Sequence, residues 1–375
     1  MKSKYGVIFY KGTSNIGDDI QLYAAMRFLP QVDYIIEREA MDSFVSKNHE
    51  KVKVIMNGWY FHKAESWPPT PFIKPKTLSM HFTNNMMIDG WSAKYPEVFD
   101  GYGKKFFKDH EPIGCRDTHT VHLMEQLGVE HYFSSCLTTT LSLKQKKKVE
   151  DVIYAVDVDD EVLHYIEEHT SSKVISLTHV MTKEDQEQSF EERMKKVEEL
   201  LLKYQNAKMV VTSRLHVALP CLALETPVLL IRHDDPLYPG RLDTFYEFVP
   251  NTSIEELLSG QSQVRFDKPK KNPTKHLKYR KQLIADCEEF VKDEPLEYVS
   301  DQEYIEWLEH TKEYQKEGLV KIILREHEEV QNALREYHTM KKRAEKAEAT
   351  LESIYASRSY RWPQKAIQIL HLKKR

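Results

Sequence analysis

The segment from residue 209 to residue 231 constrains the fold of this chain most. It comprises a short apolar strand, a polar turn at Thr212 and Ser213, an apolar helix and a second apolar strand at 227–231. Thr and Ser are preferred helix N-caps, and a helix that returns directly to a buried strand is typical of a parallel sheet. Because ligands of open α/β sheets bind beyond the carboxyl ends of the strands, this turn marks a predicted ligand site.

Two cationic candidates, Arg214 and His216, stand at the start of this helix with Leu215 between them. The N-terminus of a helix attracts anions, so the pattern predicts that both side chains face an anionic ligand. The alternative is structural. In that interpretation Arg214 forms an ion pair within the protein, and His216 is a hydrogen-bonded histidine of the core.

Strand and helix patterns alternate along two successive stretches of the chain. The basic run 144–148 separates them, because a new apolar strand pattern begins shortly after it. Alternation of this kind predicts parallel sheets. We therefore predict an α/β protein with two Rossmann-like domains, 1–147 and 148–300, that face a cleft, and such a cleft is the usual place for a ligand.

The individual elements follow from the same apolar patterns. In the first half the predicted strands are 5–10, 32–36, 52–56 and 78–82, and the predicted helices are 20–29 and 121–127. In the second half the predicted strands are 152–156, 173–177, 208–211 and 227–231, and the predicted helices are 161–168 and 189–203. Gly128 is expected to end the preceding helix as a left-handed cap.

Composition excludes several classes of protein. A net charge of −4 over 375 residues gives no general attraction to nucleic acid, so we expect no nucleic-acid partner. No two of the four cysteines form a C-x-x-C pair, and none joins a histidine at metal-ligand spacing, so we expect no bound metal. The N-terminus lacks a signal-peptide pattern, and no stretch approaches the roughly 20 apolar residues of a membrane span. The expected location is the cytoplasm.

From residue 301 onward, in the predicted extension 301–375, the sequence becomes helical and highly charged. Apolar or small residues recur there at intervals of seven, at Ile323, Val330, Tyr337, Ala344 and Leu351. The repeat predicts a short coiled coil, and with it a homo-oligomer, although Lys341 and Glu348 interrupt the second apolar position. The alternative is a solvated helix that packs on its own domain.

The final segment, 357–375, holds six basic residues and no acidic one, interleaved with aromatic and aliphatic side chains. Such a basic amphipathic end is typical of a peripheral contact with an anionic membrane surface. We therefore predict that the protein is held at the inner face of the cell membrane by this segment. A frayed, solvated tail is the alternative.

The turn from Asn15 to Asp18 follows the first predicted strand. It lacks both the G-x-G-x-x-G dinucleotide pattern and the G-x-x-x-x-G-K-[ST] phosphate loop, which argues against hydride transfer and P-loop hydrolysis. Gly17 allows a ligand to approach the backbone. Asn15 and Asp18 are candidates to bind sugar hydroxyls or to cap the following helix, and for Asp18 we favour the cap.

Two further strand ends carry candidate side chains. Asn57 and Trp59 end the third predicted strand, where an indole face stacks on a sugar or fills the core. Arg116 precedes a predicted helix and either binds an anion or forms a structural ion pair, with Asp117 beside it. No local pattern indicates a Ser/His/Asp or Cys/His nucleophile.

The ordered set of these motifs resembles the polysaccharide pyruvyl transferase family over about residues 5–250. The matching segments are Asn15–Asp18, Asn57–Trp59, Pro112–Asp117 with Thr120, Tyr132–Thr138, and Ser213–His216 with Pro227–Val228. The resemblance implies a GT-B-like fold and transfer of pyruvate from phosphoenolpyruvate to two hydroxyls of a sugar, as a cyclic ketal. The sugar would belong to a surface polysaccharide or to its lipid-linked precursor. Arg116 and the triplet Arg214, Leu215 and His216 would lie at the phosphoenolpyruvate site.

The chemistry of the residues agrees with that expectation. Phosphoenolpyruvate carries a carboxylate and a phosphate, which guanidinium groups bind through paired hydrogen bonds. Arg116 and Arg214 supply one guanidinium from each predicted domain, and Arg241 is a third candidate. Both His81 and His216 are open as the group that protonates the methylene carbon. Arginines and helix N-termini offset the negative charge, so we expect no cofactor besides the donor.

We assign Asn15, Gly17, Asp18, Asn57 and Trp59 to the sugar acceptor. Two other functions are open at this point. The same architecture supports a GT-B glycosyltransferase that uses a nucleotide sugar. The other function is that of a noncatalytic scaffold in glycan assembly, which would bind its partners through the coiled coil.

Overall fold

The computed structural model of this chain describes residues 2–60, 67–82, 85–88, 91–94, 101–232 and 242–356. Contacts between Cα atoms define two compact units, 1–316 and 317–375. The first unit holds both parallel sheets, so it contains every strand end that the sequence marks as a ligand site.

The first half of unit 1 is built on a sheet of six parallel strands. The elements of this half are β1 (Lys4–Phe9), α1 (Ile16–Met26), β2 (Tyr34–Glu37), β3 (Val52–Tyr60), β4 (Ile73–Phe82), β5 (Asn85–Ile88), β6 (Trp91–Lys94), α2 (Gly101–Asp109), β7 (Ile113–Cys115), α3 (Thr118–Leu127) and β8 (His131–Phe133). The strand order is β2, β1, β3, β4, β7, β8, and β5 pairs with β6 as a separate antiparallel hairpin.

The second half of unit 1 is built on a sheet of five parallel strands. Its elements are β9 (Val152–Val156), α4 (Asp160–Glu168), β10 (Lys173–Leu177), α5 (Lys183–Glu187), α6 (Phe190–Asn206), β11 (Met209–Thr212), α7 (Leu215–Ala223), β12 (Val228–Arg232), β13 (Asn251–Ser253), α8 (Ile254–Leu258) and α9 (Leu277–Phe290). The strand order is β10, β9, β11, β12, β13. The sequence-based prediction of an α/β protein with two parallel sheets is confirmed.

Helix α1 begins earlier than the sequence pattern predicts. The predicted start was residue 20 with Asp18 as the favoured cap, but the N-cap is Asn15, whose Oδ1 accepts a hydrogen bond from the Gly17 N–H at 3.0 Å. The preference for Asp18 as a cap is therefore wrong. Asp18 lies in the first turn of the helix instead, which leaves its carboxylate available for contacts outside the helix. By contrast, Gly128 ends α3 in the left-handed conformation, as predicted.

A single hydrophobic cluster joins the two halves of unit 1. It contains Val7 and Ile20 from the first half together with Val197, Val210 and Leu219 from the second. Helix α1 lies between the sheets and packs against α6 and α7. The division into domains at 147/148 stays a prediction, because one continuous core spans that position.

A buried ion pair crosses the same contact. Arg193 of α6 donates from Nε to Asp19 Oδ2 at 2.8 Å and from Nη2 to Asp19 Oδ1 at 2.7 Å. Both side chains are buried, and this burial raises the pKa of Asp19 to about 6 against the opposing effect of the guanidinium. The paired hydrogen bonds fix the orientation of α6 relative to α1.

The last helix, α10 (Asp301–Ala356), extends through most of the described C-terminal part. Within unit 2 its described side chains from residue 320 to residue 351 are solvent-exposed. Among the described residues, no helix is long and apolar enough to cross a membrane. The basic segment 357–375 lies outside the described residues, so its membrane contact stays a prediction, as does the coiled coil.

Candidate functional site

Charged side chains collect at the carboxyl ends of strands in both sheets. His81 lies at the end of β4 and Arg116 directly follows β7, while Asp157 directly follows β9 and Arg214 lies two residues beyond β11. The carboxyl ends of parallel strands meet at one edge of a sheet, so each half presents one polar edge.

The start of α1 connects these two edges. The Ile16 N–H donates to His179 O at 3.0 Å, and the Met181 N–H donates to Ser14 O at 2.7 Å. The loop after β10 therefore pairs with the turn before α1. This backbone contact brings the ligand edge of the second sheet to the helix that follows β1.

Gly17 lies directly against His216. A Cβ atom at residue 17 would be 3.1 Å from His216 Cβ and 3.2 Å from His216 Nδ1. Any side chain at this position would displace the imidazole or the helix. His216 thus stands at the first turn of α1, where the positive end of the helix dipole favours a bound anion.

Cys136 contacts the other side of the same imidazole. Its Sγ is 3.8 Å from His216 Nε2 and 3.1 Å from Thr138 Oγ1. Burial raises the pKa of the Cys136 thiol, although the nearby charge of Arg116 opposes the shift. Cys136 is therefore a neutral thiol that positions His216, a role that sequence analysis missed because 80 residues separate the two.

Arg116 is buried and held at two of its nitrogens. Its Nη1 donates to Gln21 Oε1 at 3.2 Å and its Nε donates to Asp117 Oδ2 at 3.3 Å. Gln21 comes from α1, so Arg116 connects β7 to the helix that also contacts His216. The structural ion pair with Asp117, one of the two alternatives from sequence, is present.

Asp117 organises the polar cluster beneath Arg116. Its Oδ1 accepts from the N–H and the Oγ1 of Thr120, at 3.0 and 2.9 Å, and its Oδ2 lies 2.7 Å from His81 Nδ1. Burial disfavours the charged carboxylate, but His81 and Arg116 together hold the pKa of Asp117 well below its usual range. The ionised carboxylate favours a proton on Nδ1 of His81, which fixes the orientation of the imidazole.

Arg214 is held at one nitrogen only. Its Nε donates to Asp157 Oδ2 at 3.0 Å, and its side chain is 39% exposed. Among the described residues, no side chain or carbonyl accepts from its Nη1 or Nη2. The ion pair considered from sequence is therefore formed, and it leaves the outer face of the guanidinium for a ligand.

Asp157 is fixed by three donors. Besides Arg214, Thr178 Oγ1 donates to it at 2.6 Å and the His179 N–H donates at 2.9 Å. Burial opposes the charged form, but these hydrogen bonds and the charge of Arg214 lower the pKa of Asp157. Asp157 was missed from sequence, although it follows a predicted strand as directly as Arg116 does.

His179 lies buried beside this carboxylate and stacks on Tyr204. Its Nε2 is 2.8 Å from Tyr204 Oη, and within the described ranges its Nδ1 has no hydrogen-bond partner. Burial lowers the pKa of His179 to about 4 against the opposing charge of Asp157. His179 is therefore neutral near pH 7 and adds no charge to the site.

The residues assigned to the acceptor lie around Asp18. Its carboxylate accepts from Thr13 Oγ1 at 2.6 Å and from Trp59 Nε1 at 3.2 Å. Asn57 is buried and donates to Gln21 O at 2.8 Å, which joins β3 to α1. Trp59 is half-buried, and Asn15 caps α1 as described above.

An arginine that sequence analysis did not single out borders this group. The Arg38 guanidinium lies 3.6 Å from the ring centroid of Tyr10 and 4.3 Å from that of Trp59. Cation–π contacts of this kind fix the orientation of both rings. Of the other candidates, Leu215 is buried in α7 and Arg241 lies outside the described residues.

Fold and site together define an α/β protein with two parallel sheets whose polar edges meet at the start of α1. In the described part of the chain, no three His, Cys, Asp or Glu side chains are grouped as ligands of one metal ion. Residues 15–235 match the sequence profile of the family described as polysaccharide pyruvyl transferase. The chain belongs to this family, as the resemblance in the sequence indicated.

Similarity to other proteins is more distant. No curated protein matches the sequence significantly. A functionally uncharacterised protein from Klebsiella pneumoniae subsp. pneumoniae NTUH-K2044 is 16% identical, with a TM-score of 0.35 over 65% of this chain and 88% of that one. The wall teichoic acid polymerase TagF is 12% identical, with a TM-score of 0.34 over 84% of this chain and 89% of that one.

Proposed function

We propose that this protein transfers pyruvate from phosphoenolpyruvate to two hydroxyls of a sugar, forming a cyclic ketal, with its two halves in a GT-B-like arrangement. The acceptor would be a sugar of a polysaccharide or of its lipid-linked precursor. Family membership supports polysaccharide modification, and the polar groups of the site support an anionic donor.

The observation that carries this proposal is the state of Arg214. Asp157 holds its Nε, and the two terminal nitrogens point away from that contact without protein acceptors among the described residues. A guanidinium fixed in this way offers two parallel N–H donors to a carboxylate or a phosphate. His216 and the positive end of the α1 dipole favour the second anionic group.

The reaction moves one proton to carbon and releases one phosphate. C3 of phosphoenolpyruvate gains a proton, the first hydroxyl bonds to C2, the bond from C2 to the phosphate oxygen breaks, and the second hydroxyl bonds to C2. Of the two protons that the hydroxyls lose, one balances the proton taken up at C3 and the other leaves with phosphate.

Two histidines suit the proton transfers for different reasons. His216 is half-buried beside the proposed donor site, so we assign it the protonation of C3. His81 is oriented by Asp117 through Nδ1, so we assign it the removal of a hydroxyl proton. Neither role needs a metal ion, because arginines and the helix terminus balance the charge of the donor.

Calorimetric titration with phosphoenolpyruvate tests this assignment. We expect the native protein to bind, and Arg214→Ala to bind about tenfold to a hundredfold more weakly, because charge-assisted hydrogen bonds worth about 1.5–3 kcal/mol are lost. Arg214→Lys should fall between them, since lysine keeps the charge but not the paired donors. Arg265→Ala, which removes an exposed arginine of the same half, is the matched control.

Phosphate release in the presence of candidate sugars is the second readout. Unchanged binding in Arg214→Ala would show that the donor site is elsewhere. If the native protein binds a nucleotide sugar but not phosphoenolpyruvate, the function is that of a glycosyltransferase and this proposal is wrong.

The predicted cytoplasmic location is also part of the proposal, because phosphoenolpyruvate is a metabolite of the cytoplasm. Binding of the full chain to vesicles that contain anionic lipid tests the membrane contact of segment 357–375. Equal sedimentation with neutral and anionic vesicles would contradict that contact.

A further inference from the structure

Helix α10 carries a row of exposed side chains, apolar except for His327, that the proposed reaction does not use. The row comprises Val320, Ile323, His327, Val330, Leu334, Tyr337, Met340, Ala344, Ala347 and Leu351, and every one of these residues is exposed. Ile323 is 58% exposed and Met340 is 61% exposed. We call this row the α10 seam.

The α10 seam follows one face of the helix. Its members are spaced alternately three and four residues apart, with one additional step of three at Tyr337. Steps of three and four keep side chains on one stripe of an α-helix, and their alternation is the heptad spacing of a coiled coil. Because of the step at Tyr337, Met340 and Ala347 continue the stripe, while Lys341 and Glu348 lie beside it.

An exposed apolar stripe of this length is unfavourable in water unless a partner covers it. From residue 320 to residue 351 the helix is about 47 Å long at 1.5 Å per residue. Long helices in water draw most of their stability from packing of an apolar face, and a contiguous apolar stripe marks an interaction surface.

The charges beside the seam indicate what covers it. In a parallel two-stranded coiled coil, a residue at position g pairs with the residue five positions later, at position e, of the other helix. With Tyr337, Ala344 and Leu351 at a, position g holds Glu336 and Arg343, and position e holds Lys341 and Glu348. Glu336 then meets Lys341, and Arg343 meets Glu348, so both pairs are attractive when the second helix is the same sequence in register.

In an antiparallel pair, e residues meet e residues and g residues meet g residues, so both attractive pairs also form when Tyr337 lies opposite Ala347. That alignment superimposes only residues 333–351 of the two seams and leaves Val320, Ile323 and Val330 without seam residues opposite them. A second copy of this chain in parallel orientation and in register covers the whole seam and forms both charge pairs.

We propose that the α10 seam binds the same segment of a second copy of this chain as a parallel, in-register coiled coil. The complex is a dimer in which each protomer keeps its own donor site. The small side chains of Ala344 and Ala347 bring the two helices closest in the second half of the seam.

The first test measures the mass of the full chain in solution by light scattering over a dilution series. We expect the native protein to be a dimer that dissociates on dilution. Val330→Asp with Tyr337→Asp places a charge on the seam twice, seven residues apart, and should give a monomer. Asn332→Asp with Thr339→Asp makes the same change, at the same spacing, on the opposite face and should leave the dimer intact.

Circular dichroism of both double variants checks that α10 is still helical. A native protein that is monomeric at the highest attainable concentration would overturn the proposal. So would a seam variant that stays dimeric while its helix is intact.

The second test addresses orientation. Ala344→Cys places a thiol at a seam position that meets its own counterpart in a parallel, in-register pair, so mild oxidation should give a covalent dimer. Thr339→Cys, on the outer face, is the control and should not crosslink. A dimer that fails to crosslink through residue 344 would rule out the parallel register.

Discussion

Asp157 determines how Arg214 is presented to a ligand. Thr178, the His179 amide and Arg214 all donate to this one carboxylate, so it is fixed from three sides. The guanidinium is thereby oriented before a ligand arrives. Orientation in advance lowers the conformational entropy lost on binding, so a residue that never touches the ligand contributes to its affinity.

Asp157→Asn should weaken donor binding more than it slows the chemistry. The substitution removes the charge that holds Nε, and we expect KM for phosphoenolpyruvate to rise about tenfold, equivalent to about 1.4 kcal/mol, with a smaller change in kcat. Asp159→Asn, an exposed carboxylate two residues away, should change neither constant. If KM were unchanged and only thermal stability fell, the role of Asp157 would be purely structural.

Gly17 should be intolerant of even one additional carbon. In Gly17→Ala the new Cβ meets Asn15 Oδ1 at 3.0 Å and His216 Cβ at 3.1 Å, so the Asn15 side chain and the imidazole must give way by a few tenths of an ångström. We expect kcat to fall about tenfold, because small displacements of a catalytic group are costly, while the folded state persists. Gly12→Ala, whose Cβ would meet only Tyr10 Cε2 at 3.6 Å, is the control. Wild-type turnover in Gly17→Ala would place His216 outside the chemistry.

At the scale of elements, the loop after β10 carries a buried ionisable group into the contact with α1. Burial lowers the pKa of His179 to about 4, from about 6.5 for an unperturbed histidine. Between these values the unfolded chain binds a proton at this residue that the folded protein does not. The contribution of His179 to stability is therefore complete above about pH 6.5 and is lost as the pH falls toward 4.

Urea unfolding at several pH values tests this coupling. The native protein should lose about 3 kcal/mol of unfolding free energy between pH 6.5 and 4 from this group, since one pKa unit is about 1.4 kcal/mol. His179→Gln, which can still donate to Tyr204, should show a shallower loss. His122→Gln, at an exposed histidine of α3, should keep the native slope. Equal slopes in all three proteins would mean that His179 does not control acid sensitivity.

The elements differ in how much of them the sequence could predict. Strands β1, β9 and β10 were predicted almost to the residue because each is a short, mainly apolar segment between polar turns. The start of α1 was misplaced because Asn15 and Asp18 are both good caps, and in the structure Asn15 caps the helix while Asp18 accepts a hydrogen bond from Trp59. The sequence around Asp18 does not indicate that contact, because Trp59 is 41 residues away.

The same distinction applies to the site. Arg116 and Arg214 were found because each stands between a strand and a helix, which is a local signal. The contacts of Cys136 with His216 and of Gln21 with Arg116 join residues 80 and 95 positions apart. Such pairings follow from the arrangement of the two sheets around α1, so they became visible only with the fold.

At the scale of the whole molecule, one hydrophobic cluster is shared by the two sheets, while a second cluster lies within the second half alone. Residues from β1, α1, α6 and α7 belong to a single apolar cluster, and the ion pair between Asp19 and Arg193 lies within it. Separating the halves would expose this apolar surface and leave two buried charges without partners, which is strongly unfavourable.

That shared core also bears on how a substrate reaches the site. A protein whose halves meet through a loose hinge admits its ligand by a slow opening of the whole molecule. Here the packing of the shared cluster holds the two polar edges in fixed positions. A ligand must therefore reach and leave Arg214 and His216 through small local rearrangements of the surrounding residues. We therefore expect ligand exchange to be rapid compared with domain motions, which occur in microseconds to milliseconds.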